Sequence, residues 1–403
     1  MEVMQTYKFR LYPNSMQCEW LLRQFGACRF VYNHFLRARI DYYAEHKDDQ
    51  KKGLTYHDTA LMLTQLKKEE GYEWLREANS QALQHSLRVL DTAYNNFFNK
   101  RAQFPRFKSK RGEQACHIPQ FFQVEANHLT LPKIGRVKMV VHRPIEGQIR
   151  HVTIRKTPAG RYYAMLACRA ELPEPQHKHD EIGLDVGLKS FLVTSNGEVV
   201  AHPQNLLKAE MRLKRLQRSL SRRQKGSSNR EKARMAVARQ HERVANARAD
   251  FLHKLSRRLV DENQVIYAED LNVKGMLANH PLAKRIADSG WGELFRQLTY
   301  KGRWYGTEFH QIQRFFPSSK RCHVCGYIYQ DLRLSERAWV CPECYMTHDR
   351  DKNAALNIEL FGHAERTGGT PGTHTPGESG VARSSNQEAT RFKRMVVHNP
   401  SLV

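Results

Sequence analysis

The sequence predicts a mixed α/β protein of several domains, and three observations carry that prediction. Residues 13 to about 112 repeat apolar side chains at helical spacing, residues 115–172 break into short alternating runs, and beyond 178 apolar strands interleave with long basic helices. A chain of 403 residues has the length for two or three proper cores.

Residues 5–12 (QTYKFRLY) alternate like a strand, which Pro13-Asn14 ends. Asn14 followed by Gln17 has the form of a capping box, opening a helix that carries Leu21, Phe25, Cys28, Tyr32 and Phe35 on one face. Leu83, Leu87, Leu90, Tyr94 and Phe97 repeat the pattern in a second long helix near 79–100. FPRFKSKRG (104–112) closes this helical region with basic residues set among aromatics. In the β region, Val152 and Ile154 alternate with Thr153 and Arg155, and Pro158-Ala159-Gly160 supplies a turn. The sheet is antiparallel, and strand 5–12 is expected to close it. LPEPQHKHD (172–180) reads as a polar linker. Two apolar strands then surround Asp185, with Asn196-Gly197 as a hairpin signal. A basic helical stretch over 208–262 breaks at Gly226-Ser227-Ser228. A buried strand in QVIYAEDLNV, a helix around 288–304 and a strand near 307–315 follow. Past about 364 the segment GGTPGTHTPGESGVARSSNQ cannot bury a core and is expected to be disordered.

Lys and Arg number 65 against 41 Asp and Glu, a formal charge of +24. That surplus calls for a polyanion, either nucleic acid or an anionic membrane surface. With no apolar run of about 18 residues and no apolar core in MEVMQTYKFRLYPN, nucleic acid is the stronger expectation. Cys18, Cys28, Cys116 and Cys168 each sit in apolar stretches, as small buried thiols do. A reduced, cytoplasmic protein fits this usage better than a disulfide framework.

The other four cysteines form C-x2-C, fifteen residues, C-x2-C: Cys322, Cys325, Cys341 and Cys344. Two such knuckles complete a tetrahedron of thiolates around zinc, and four protein ligands leave no open position, so the expected role is structural. His323 and His348 lie close by as weaker substitutes. Among acidic residues, Asp185 stands inside the apolar run IGLDVGL, where a carboxylate is costly unless paired or metal-bound. Glu269 and Asp270 end VIYAED, and Asp349 and Asp351 precede an Ala/Leu/Ile-rich helix. Each of these four has a plain alternative as a helix cap or a surface carboxylate. Together, carboxylates from two strands and a helix terminus can hold two Mg²⁺ ions about 4 Å apart for phosphodiester hydrolysis.

With FRLYP (9–13), RFVYNHFL (29–36), GLDVGLK (183–189), AEDL (268–271), GWGELFRQL (290–298), FFPSSKRC (315–322), the four cysteines and DRDKNAALNI (349–358), the chain resembles the TnpB family from Tyr7 to about Leu360. These are insertion-sequence transposon nucleases related to the type V CRISPR effectors. The resemblance implies Asp185, Glu269 and Asp351 as the catalytic, Mg²⁺- or Mn²⁺-binding triad, with zinc on the four cysteines. It implies an RNase H-like (RuvC) nuclease domain at 178–321 and 345–362 with the zinc ribbon, 322–344, inserted. It also implies a wedge β-barrel at 1–12 and 113–175 and a helical recognition domain at 13–112, whereas the tail from 363 to 403 lies outside the resemblance. The implied activity is RNA-guided DNA cleavage beside a short duplex motif, by a monomer in the bacterial or archaeal cytosol. The partners would be a guide RNA from the transposon end and double-stranded target DNA.

The basic stretch keeps apolar positions (Leu213, Leu216, Leu220, Val237, Val244, Phe251, Leu255), so it can pack while offering Arg215, Arg222 and Arg223 to phosphates. Arg106 and Lys108 in FPRFKSKRG are further phosphate candidates. Tyr56 and Gln84 match family positions that read the short motif, and a Gln can pair with adenine in the major groove. Two other functions share parts of this pattern: an accessory transposase, and an RNA-guided DNA-binding regulator without catalysis.

Overall fold

The computed structural model describes residues 2–46, 53–110, 112–172, 179–278, 280–333 and 335–369. They form two compact units: Glu2–Glu171 with Leu216–Arg239, and Leu172–Arg215 with the chain from Gln240 onward.

The first unit opens with β1 (Glu2–Tyr12), which runs directly into α1 (Ser15–His46). Asn14 and Gln17 cap that helix reciprocally, each side-chain oxygen accepting the other's backbone N–H at 2.9 and 3.0 Å. Next come α2 (Tyr56–Leu66), with its own Thr55–Asp58 capping box, a single 3-10 turn at Glu73–Arg76, and α3 (Ser80–Phe98), capped by Asn79. Leu21, Phe25, Cys28, Tyr32 and Phe35 of α1 share one buried cluster with Leu83, Leu87 and Leu90 of α3, the faces the spacing predicted. The β region contributes β2 (Gln114–Ile118), β3 (Gln123–Glu125), β4 (His128–Leu131), β5 (Gly135–Val140), β6 (Gln148–Lys156) and β7 (Tyr162–Glu171). The seven strands are all antiparallel in the order β2-β6-β7-β1-β5-β4-β3. β1 is therefore central and does not close the sheet, and it starts three residues before the expected boundary. Its register with β7 runs from Glu2↔Glu171 to Leu11↔Tyr162, and the added residues gain ladder hydrogen bonds that a sequence window cannot register.

The second unit begins with β8 (His179–Val186), β9 (Leu192–Thr194) and β10 (Val199–Val200), with Gly197 at φ +84° in the expected hairpin turn. The linker residues 173–178 lie outside the described residues. The basic stretch is two helices, α4 (Gln204–Ser221) and α5 (Ser228–Glu262), and the chain passes between the two units along both. β11 (Asn263–Glu269) follows, then α6 (Val273–Met276), α7 (His280–Ser289), α8 (Trp291–Tyr305) and β12 (Glu308–Ile312). A small hairpin, β13 (Ala338–Val340) and β14 (Thr347–Asp349), leads into α9 (Arg350–Thr367). The five-stranded sheet has the order β10-β9-β8-β11-β12, antiparallel as far as β8 and parallel from β8 to β12.

α9 lies against this sheet at van der Waals distance because two glycines permit it. A Cβ on Gly183 would sit 2.1 Å from the Ala355 carbonyl, and one on Gly362 would sit 2.2 Å from the Tyr267 ring. The helix reaches Thr367 and ends at Gly368 in the left-handed region, so residues 363–367 are helical where a tail was expected. The rest of that tail, 370–403, lies outside the described residues. Among the described residues no helix is long and apolar enough to cross a membrane.

Candidate active site and metal centre

The register of β8 and β11 brings two carboxylates side by side. The strands are parallel, the last pair is Ala268↔Leu184, and Asp185 and Glu269 each follow by one residue. Neighbouring strands stand about 4.8 Å apart, and equivalent residues of a parallel pair face the same side. α9 adds the third. Ala355 lies over Gly183, and further along the helix His363 reaches Glu181 at 2.8 Å, so α9 runs antiparallel to β8. One helical turn back from Ala355 is about 6 Å, and two residues forward along the strand is about 6.6 Å. Those steps lead to Asp351 and Asp185.

Electrostatics agrees with this placement. Burial pushes the Asp185 carboxyl well above its ordinary range, and the charges of Glu269 and Asp351 push it further. Burial also raises Glu269, against a hydrogen bond from the Ser318 hydroxyl to Oε1 that lowers it. Asp351 accepts from Arg337 at 3.1 Å. The other two acidic candidates are engaged elsewhere. Asp270 accepts two hydrogen bonds from Arg314, at 2.7 and 3.0 Å, and Asp349 is the N-cap of α9, accepting from the Lys352 N–H at 2.9 Å. Sequence reading missed Ser318 and Arg337; they lie 49 and 14 residues along the chain from the carboxylates they touch, and no local pattern marks them. Asn357 holds the Ser318 turn in place by donating to the Ser318 carbonyl at 2.8 Å.

The four cysteines do converge. Their sulfurs lie within 4.8 Å of one another, with Cys322–Cys344 at 3.6 Å and Cys325–Cys341 at 3.5 Å. A tetrahedral zinc–thiolate site, with Zn–S about 2.3 Å, sets its sulfurs about 3.8 Å apart, so the donor set fits that ion. The two knuckles are built alike. Cys322 accepts from the Gly326 N–H and Cys341 from the Tyr345 N–H, both at 2.9 Å, and both fourth residues have positive φ, +80° and +59°. His348 is not among the gathered donors; its Nε2 lies 3.1 Å from the Cys322 sulfur. His323 instead bonds Asn353 of α9.

The nucleic-acid candidates fall into separate groups. Gln84 is exposed on α3 one turn before Arg88, whose guanidinium stacks on the Tyr56 ring at 5.4 Å and donates to its hydroxyl at 3.3 Å. Tyr56, Gln84 and Arg88 thus share a face, and Arg88 went unnoticed in the sequence. Arg106 is exposed on the segment after α3. Lys108 is exposed as a residue, but its ammonium is drawn over the Tyr32 ring, 4.0 Å from its centre, and Asn33 grips its backbone at 2.7 and 2.9 Å. Arg215 on α4, and Arg222 and Arg223 between α4 and α5, are exposed.

Family models match the chain over most of its described length: a probable transposase over 154–280, a Cas12f1-like TNB domain over 291–358, and a helix-turn-helix domain over 1–48. Over that last span the described residues are one strand and one unbroken helix, β1 and α1. A Streptomyces pristinaespiralis protein named as a candidate RNA-guided DNA endonuclease is 40% identical over 369 residues, covering 90% of each chain. InsQ of Escherichia coli K12, named in the same way, is 35% identical over 90% of this chain and 94% of its own. The structure is similar to Cas12f1 in its complex with guide RNA and target DNA, with a TM-score of 0.55 over 89% of this chain and 98% of that one. At 13% identity this last likeness is one of fold.

Proposed function

This chain belongs to the TnpB family, and on that premise we propose that it is an RNA-guided DNA endonuclease that cleaves by metal-dependent phosphodiester hydrolysis at Asp185, Glu269 and Asp351. The observation that carries the reading is that Asp185 and Glu269 follow the last register pair of adjacent parallel strands, with the Asp185 pKa raised first by burial and then by Glu269 and Asp351. Arg337 on Asp351 offsets only part of the charge of three carboxylates crowded in a partly shielded site. Mg²⁺ or Mn²⁺ suits such an all-oxygen donor set and, when bound, would activate water and stabilise the leaving oxygen. Asp185 stands next to both of the others and would hold ions jointly with each. Ser318 would fix the Glu269 carboxylate, and Arg337 would release Asp351 when the site is loaded.

The sheet order, antiparallel for three strands and parallel for the last three, supports an RNase H-like (RuvC) assignment for the second unit. The four-cysteine cluster supports a structural zinc ribbon within it. In the first unit, the antiparallel sheet and α1–α3 would serve as the wedge and recognition domains. Tyr56, Arg88 and Gln84 would face the short duplex motif, and the exposed arginines near the α4–α5 turn would follow the guide–target backbone, leaving sequence to base pairing. A DNA-binding regulator has no use for a crowded carboxylate triad.

The deciding experiment is purification of the chain from its host with sequencing of any bound RNA, followed by cleavage of DNA matched to that RNA. One defined RNA and guide-dependent cutting are expected. Cutting that ignores the RNA, or no associated RNA, would favour a transposase.

A further inference from the structure

We propose that Phe315 is a stacking site for one unpaired nucleobase of the strand delivered to the carboxylates; this rests on the nuclease reading above. Phe315 is 88% exposed, more than any other large apolar side chain among the described residues. A single exposed apolar side chain is ordinary in itself. Its setting is not. On one side Arg314 is fixed by two hydrogen bonds to Asp270, the residue after Glu269. On the other, Phe316 stacks on Phe361 of α9, with ring centres 4.0 Å apart and planes 21° apart. Three residues on, the Ser318 hydroxyl bonds Glu269.

The phenyl ring is therefore held between two anchored neighbours, on the same turn that positions a catalytic carboxylate. An anchored ring has already lost most of the backbone freedom that binding would otherwise remove. A nucleobase suits it because every base has a π-face, so stacking tolerates any sequence, as cleavage specified by a guide requires. The neighbours in sequence favour a nucleic acid over a protein partner. Arg314, Lys320 and Arg321 lie within six residues of Phe315 in the chain, whereas a protein-docking patch of this kind would need contiguous apolar area.

The test uses the full chain with its bound RNA in an Asp185→Ala background, which binds without cutting. The probe is a short single-stranded DNA with 2-aminopurine at successive positions. With Phe315 present, one position is expected to be quenched. Phe315→Ala should abolish that quenching and weaken probe binding roughly tenfold, and Phe315→Trp should restore both. A merely structural role would not move quenching at one position. Equal quenching and affinity in Phe315→Ala would overturn the proposal. Mn²⁺ binding by the Asp185-containing chain, measured by calorimetry, reports separately on the carboxylate centre. Its absence would overturn the nuclease reading, while the quenching data would still decide on Phe315.

Discussion

Asp185, Glu269, Asp270, Asp349 and Asp351 are hard to rank by residue type, yet their partners separate them. Asp270 is neutralised by Arg314, and Asp349 spends an oxygen on the first turn of α9. Asp185 has only like charges near enough to raise its pKa further, with Arg350 and Arg337 acting weakly against them. Asp185→Ala, Glu269→Ala and Asp351→Ala should therefore each lower cleavage by at least about a hundredfold, since on the proposed reading each would remove a ligand of the metals that activate and stabilise the reacting oxygens. Target binding, measured by gel shift, should survive. Asp349→Ala should cost about 1 kcal/mol of stability as a lost N-cap, and Asp270→Ala should stay within tenfold of the parent rate. A second residue-scale expectation concerns the stacked rings of His85 and His117, 3.7 Å apart in the first unit. Burial first, then the charges of His151, Arg88 and Lys108, push His85 down to about 4, and burial, then His85, His151 and Arg88, push His117 to about 3. Well above pH 6.5, the ordinary imidazole value, both rings are neutral, folded or unfolded, and contribute no pH dependence. As pH falls from there toward 4, the unfolded chain binds protons that the folded one refuses, so stability drops. The slope is at most about 1.4 kcal/mol per pH unit for each ring, less at half-solvated positions. His117→Gln should flatten it, read as urea midpoints across that range.

At the scale of elements, the ribbon is too small to fold on its own apolar contacts. Its buried cluster holds Cys322, Leu332, Trp339 and Cys341, and on the proposed zinc reading metal binding would supply much of its folding energy. Cys322→Ser or Cys341→Ser should release about one zinc per chain, measured by metal analysis, and lower the melting temperature of the second unit. Tyr345→Gly should keep the zinc, because that position needs the left-handed backbone already supplied by Gly326 in the other knuckle. The convergence of the four cysteines was legible because two C-x2-C knuckles carry a fixed spacing along the chain. The α1 and α3 faces were legible for a similar reason: Phe25, Phe35, Leu83 and Leu87 obey a local period. What escaped notice depends on long-range pairing. The central place of β1 is set by strands more than a hundred residues away, and α7 lacks the long apolar repeat that identifies α1. The Ser318–Glu269 and Arg337–Asp351 contacts join separate segments of chain. The candidate carboxylates were individually ambiguous, and only the family resemblance singled out Asp351 over Asp349, which the structure shows capping α9.

For the molecule as a whole, the dominant quantity is the net charge of +24, which must be offset by bound polyanion or a counterion cloud. α4 and α5 concentrate part of it. Their apolar positions pack, Val237, Val244 and Leu255 being buried, so the arginines between and beside them project outward. The turn joining the helices is stiffened by Arg230, whose guanidinium donates to the carbonyls of Leu220 and Arg223 at 3.2 and 2.7 Å. Arg222 and Arg223 are thus presented on a fixed turn, and their guanidinium groups stay exposed. Guide and target backbones bound there would shed condensed counterions, making affinity fall linearly with salt on a log–log scale. Arg215→Ala, Arg222→Ala and Arg223→Ala combined should reduce that slope by roughly 2 to 3, at about 0.7 to 0.9 per phosphate contact. The loss should be equal for unrelated guide–target sequences, because phosphates carry no sequence information. The measurement is target affinity of the RNA-bound chain across a salt titration, for two unrelated guides. An unchanged slope would assign these arginines to solvent, and a loss confined to one guide would make them base readers.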